Sequence, residues 1–186
     1  MRKNKLLIAL LILCTACTST QKTEPYTEYL IPNSLISFTR VETDEYVDSM
    51  NELGNNYLLS AEKNSEGIEV KMTESQKQEF IKKNEGFVQD CIDDFTGQNE
   101  LYSVVYDDYS KLELYFDEHY EYITLLASMV GLVTYFGILQ IFTTGDSNWS
   151  VEVTVYNCHT GKQVSSAVMP EGGFSIGDEE WKISYE

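Results

Sequence analysis

The chain has 186 residues, with 13 Lys+Arg against 30 Asp+Glu and a net charge of −17 at neutral pH. So acidic a chain is repelled by phosphate backbones, whose binding depends on Lys and Arg, and nucleic acid is excluded as an expected partner. Its 42% hydrophobic content and 13 Tyr are too apolar for a disordered chain and suffice for one domain with a sizeable core.

The amino terminus runs Met1-Arg2-Lys3-Asn4-Lys5, then eight apolar residues from Leu6 to Leu13, then Cys14-Thr15-Ala16-Cys17. The apolar run is shorter than the roughly 20 residues of a membrane-spanning helix, and its basic flank fits an export signal. Thr15 and Ala16 before Cys17 resemble the bacterial lipoprotein signal, in which a peptidase cuts just before a cysteine that becomes lipid-modified. The position three before the cut, usually Leu in that signal, is Cys14 here, with Leu13 one place earlier. The resemblance implies a signal peptide over 1–16, lipidation of Cys17, and a place on the extracytoplasmic face of the cell membrane. A diacylglyceryl group supplies two chains, enough for stable anchoring. Loss of residues 1–16 removes Arg2, Lys3 and Lys5 and no acid, so the net charge moves from −17 to −20. Contact with the bilayer is therefore expected through the anchor and not through a basic face. Residues 17–30 read as the lipidated Cys and a polar tether, and 31–186 as a single α+β domain.

Leu35 to Val41 reads as a first strand. Tyr46, Val47, Met50 and Leu53 recur at helical spacing in 44–53, and Gly54-Asn55-Asn56 ends that helix. Ile68 to Met72 alternates as a strand. Thr73-Glu74-Ser75-Gln76 is a capping box opening an amphipathic helix over 73–96, with Gly97 placed as its C-cap. Two hairpins are predicted at 101–116, around the four-residue loop Asp107-Asp108-Tyr109-Ser110, and at 151–168, where Pro170 then stops the second strand. Between them, Ile123 to Phe142 carries no charged residue, inside a helix expected over about 119–142 that is apolar nearly all round. By length it could span a bilayer, but neither end carries a Lys or Arg cluster, and a span would separate the two hairpins. It is expected to be the buried helix of an α+β fold, covered by one antiparallel sheet built from both hairpins, with the 73–96 helix beside it.

Motifs for chemistry are sparse. His119 and His159 are the two histidines, and there is no Gly-x-Ser-x-Gly elbow. Cys158-His159 are adjacent, but they sit in a hairpin turn where Asn157 and Gly161 serve turn geometry. Two histidines and two distant cysteines do not make a zinc pattern. Asp107-Asp108, Asp117-Glu118 and Asp178-Glu179-Glu180 lack the spacing of a calcium loop. No catalytic residue, metal ligand or cofactor is assigned. An exported location permits a disulfide between Cys91 and Cys158. Tyr102, Tyr106, Tyr109 and Tyr115 cluster around the first hairpin as a possible contact surface for a protein or cell-wall partner.

The Asp107–Leu114 segment, the long apolar helix and Thr160-Gly161-Lys162 resemble, in outline, uncharacterised small lipoproteins of Gram-positive bacteria. Two functional readings follow. One is a non-enzymatic interaction or accessory module at the envelope, which an apolar or aromatic groove would favour. The other is an envelope hydrolase using acidic residues, with or without a metal, which a pocket gathering buried carboxylates near His119 would favour.

Overall fold

The computed structural model describes residues 24–120, 122–173 and 176–186. Cys17 and the 1–16 segment lie outside them. Among the described residues the order is β1 (Tyr26–Pro32), α1 (Asn33–Thr39), α2 (Thr43–Glu52), β2 (Ser60–Lys63), β3 (Gly67–Thr73), α3 (Glu74–Thr96), β4 (Ser103–Asp107), β5 (Lys111–Phe116), α4 (Tyr122–Thr144), β6 (Val151–Asn157), β7 (Gln163–Met169) and α5 (Asp178–Tyr185). The strands form two sheets, ordered β1-β3-β2 and β4-β5-β6-β7, in an α+β arrangement.

The expected central helix is α4. Leu132, Val133, Phe136, Leu139 and Phe142 are wholly or almost wholly enclosed. Phe142 packs 5.0 Å from Tyr29 of β1 and 4.7 Å from Phe80 of α3, ring centre to ring centre, so one side chain ties a strand and two helices. Ala127–Thr144 is long and apolar enough to cross a membrane, yet half of it is buried inside the fold. Its close approach to α1 and Trp149 depends on Gly137, where a Cβ would stand 2.9 Å from Leu35 Cδ1 and 3.0 Å from Trp149 Cε3.

Helix α3 starts as its sequence dictates. The Thr73 hydroxyl accepts from the Gln76 backbone N–H at 3.3 Å, and Gln76 Oε1 accepts from the Thr73 N–H at 2.8 Å. Gly97 is the C-cap, but in right-handed geometry (φ −65°).

Four expectations need correction. Residues 35–41 do not form a strand: Asn33–Thr39 is a helical turn that seats Leu35 and Ile36 in the core and ends at Arg40 with φ 60°. Two apolar neighbours followed by Thr39, whose hydroxyl donates to Ile36 O at 2.7 Å, suit one helical face as well as a pleat. Residues 26–30, read as tether, belong to β1. They pair antiparallel with β3 in the register Tyr26↔Thr73 to Leu30↔Glu69, and Tyr29 and Ile31 point inward. The two hairpins do join in one sheet, but β5 and β6 are parallel neighbours, so that sheet is mixed and not antiparallel. A helix between two adjacent strands brings the chain back to its starting edge, which makes the second strand parallel to the first. Finally, Cys91 and Cys158 are both free thiols. The former lies on α3 facing Gly131 of α4, the latter at the end of β6.

Candidate functional site

Two places on the molecule gather chemically distinctive side chains. The first follows from the parallel β5–β6 pair. Its register ends at Phe116↔Asn157, so the residues that follow each strand emerge side by side. These are Asp117 on one strand and Cys158-His159 on the other. The Cys158 N–H donates to Phe116 O at 2.9 Å and extends the pairing by one step.

Asp117 is 6% exposed and is the one buried acid among the described residues. Its Oδ1 accepts from the Tyr102 hydroxyl at 2.9 Å and the His119 backbone N–H at 3.0 Å; its Oδ2 lies 3.1 Å from His159 Nε2. Burial pushes its carboxyl upward, but the hydrogen bonds from His119, Tyr102 and His159 outweigh this and hold it below the ordinary range. The Tyr102 phenol is pushed well up by burial and by this carboxylate. Asn157, fully enclosed, holds the turn: its Oδ1 accepts from the His159 N–H at 2.9 Å and its Nδ2 donates to Ser184 Oγ of α5 at 2.9 Å.

A carboxylate oxygen of Asp117, the Cys158 sulfur and a ring nitrogen of His159 all lie within 4.8 Å of one another. As a nucleophilic centre this set is poorly arranged. Burial and then the Asp117 charge raise the Cys158 thiol, the reverse of what an attacking thiolate requires. The adjoining cleft, about 190 Å³, is lined by Asp117, Glu118 and Asp178 together with Phe116, Tyr120 and Trp181. Of those acids Glu118 and Asp178 are exposed. Glu118 is held down chiefly by the Tyr185 hydroxyl. A glycosidase-type acid needs a carboxyl raised in pKa, and Asp117 and Glu118 are both shifted the other way.

The second place is a groove between α2, α3 and α4, about 240 Å³, lined by Tyr46, Met50, Phe80, Phe87, Tyr135 and Ile138 among others. No carboxylate lines it. Phe87 and Tyr135 stack at 5.2 Å. Lys83 supplies the cation at its rim, 4.8 Å from the Phe87 ring centre and 5.3 Å from that of Tyr57. Burial, with a smaller contribution from Tyr135, raises the Tyr46 phenol to about 12.

The tyrosines singled out in the sequence do not share one surface. Tyr102 is buried among Phe95, Phe116 and Tyr120. Tyr106 and Tyr109 stack on each other and lean on Phe136 of α4. Tyr115 stacks at 4.8 Å on Tyr156, its register partner, on the opposite face of the sheet. Strand alternation sends Tyr106 and Tyr115 to opposite faces, because an odd number of pairing steps separates their ladder positions. Sequence reasoning missed both assemblies. In the sequence Asp117 stands beside Glu118 and His159 beside Cys158, and the usable signal is that the two dipeptides close two strands flanking one helix.

No family model, curated protein or solved structure matches this chain.

Proposed function

We propose that this protein is a lipid-anchored lipoprotein of the cell envelope that works as a non-enzymatic interaction module, with the α2–α3–α4 groove as its contact site. The groove carries this reading: it is concave, walled by aromatic and aliphatic side chains, free of carboxylates, and marked by one cation at the rim. Such a site suits an apolar protein segment that ends in, or is flanked by, an acidic group, which Lys83 would meet while Phe87 and Tyr135 take the apolar part. The Thr15-Ala16-Cys17 signal supports the location.

Two measurements test it. Palmitate labelling that is sensitive to a signal-peptidase II inhibitor should be seen in the wild type and vanish in Cys17→Ala; unchanged label rejects the anchor. A photo-crosslinking residue at Ser49, in the groove, should capture a discrete partner on intact cells. One at exposed Glu171 should not. Equal capture from both positions, or capture from Ser49 that survives Tyr135→Asp in a folded protein, rejects the groove.

A further inference from the structure

We propose that Asp117, Cys158 and His159 form a binding site for one divalent cation of the zinc type, distinct from the groove. The donor set is the first reason. A thiolate, an imidazole and a carboxylate are together the ligands that a borderline-soft cation selects over calcium or magnesium, which take oxygen. Geometry is the second. Zinc bonds of about 2.0–2.3 Å set tetrahedral ligand atoms roughly 3.5 Å apart. The three donor atoms already lie within 4.8 Å, with one oxygen–nitrogen separation of 3.1 Å.

The third reason is how firmly the donors are held. Asp117 is buried, and its other oxygen is fixed by Tyr102 and the His119 N–H. The Cys158 backbone is tied to Phe116, and the His159 backbone to the enclosed Asn157. Metal ligands are oriented by such outer contacts. Occupation asks for little: the His159 ring moves its proton from Nε2 to Nδ1 through solvent, its hydrogen bond to Asp117 gives way to two metal bonds, and the Cys158 thiol proton leaves to solvent. Three protein ligands leave a fourth position for water or a ligand atom from outside.

The full chain, purified metal-free, is titrated with Co²⁺ and then Zn²⁺. One equivalent of Co²⁺ should produce a thiolate-to-cobalt charge-transfer band that Zn²⁺ removes. Cys158→Ser should abolish the band, Cys91→Ser should leave it, and His159→Gln, which removes a ligand, should weaken zinc binding by about 100-fold or more, beyond the cost of losing an outer-shell partner. Absence of the band overturns the proposal, as does a band that persists in Cys158→Ser. So does zinc binding by His159→Gln at wild-type strength. If circular dichroism shows that Cys158→Ser has not folded, His159→Gln decides the question, since its side chain is 42% exposed and tolerates replacement.

Discussion

Asp117 and His159 meet at 3.1 Å although they lie 42 positions apart, because Asp117 directly follows the last residue of β5 and His159 stands two residues beyond the end of its parallel neighbour β6. The carboxylate also serves Tyr102 and the His119 backbone, so it joins the residue that leads into β4, the end of β5 and the β6–β7 turn. Hydrogen bonds to a charged group contribute about 1.5–3 kcal/mol each, and removing the acceptor leaves the buried Tyr102 hydroxyl unpaired. Asp117→Ala should therefore cost about 3 kcal/mol or more, read from urea unfolding. A loss under 1 kcal/mol would show that the network carries little of the fold's stability.

Phe142 should be among the costliest truncations. Its ring is fully enclosed between Tyr29 and Phe80. Replacement by Ala loses transfer free energy and leaves a cavity, about 3–5 kcal/mol together. Urea midpoints compared with those of an exposed control such as Leu59→Ala check this.

Two glycines should resist even a methyl group, to different degrees. At Gly137 the clash is with the Leu35 tip, which can move, and with the Trp149 ring, which cannot do so easily; overpacking there should cost about 1–3 kcal/mol. At Gly67 a Cβ would fall 2.0 Å from the Ile31 carbonyl oxygen, and φ is +157°. Gly67→Ala should be the worse of the two. Thermal melts of both variants give the order.

Stability should fall in alkali. Burial raises the Tyr46 phenol to about 12, so the folded state favours its neutral form. The contribution is complete below the unfolded value near 10 and is lost as pH rises from about 10 to about 12. Tyr46→Phe, which cannot ionise, should flatten this decline while leaving neutral-pH stability nearly unchanged. Melting temperatures measured across that range test it; identical alkaline slopes for the two proteins would exclude Tyr46 as the cause.

Local patterns were legible and long-range ones were not. Helix α3 announces itself because Thr73 and Gln76 satisfy each other within four residues. Helix α4 is legible because a long uncharged run has few places to go in water. The direction in which β6 joins β5 is a tertiary outcome, and no residue of either strand records it. The cluster of Asp117, Cys158 and His159 depends on that direction, so it was hidden with it. Strand β1 was obscured for another reason: Pro25 and the acids around it resemble a linker until β3 supplies the partner. The α2–α3–α4 groove was half visible. Met50 and Phe87 lay on predicted helical faces, but only packing shows which faces fail to close.

Under the proposed anchor, the early start of β1 would bound how far the domain could travel from the bilayer. Were Cys17 lipidated as proposed, eight residues of sequence, Thr18 to Pro25, would separate it from Tyr26, where pairing with β3 begins. Fully extended, they reach about 30 Å. That is comparable to the width of a small domain, so the folded body would ride next to the membrane surface and would not range through the wall. A partner of a domain so anchored would have to come to the membrane or already reside in it.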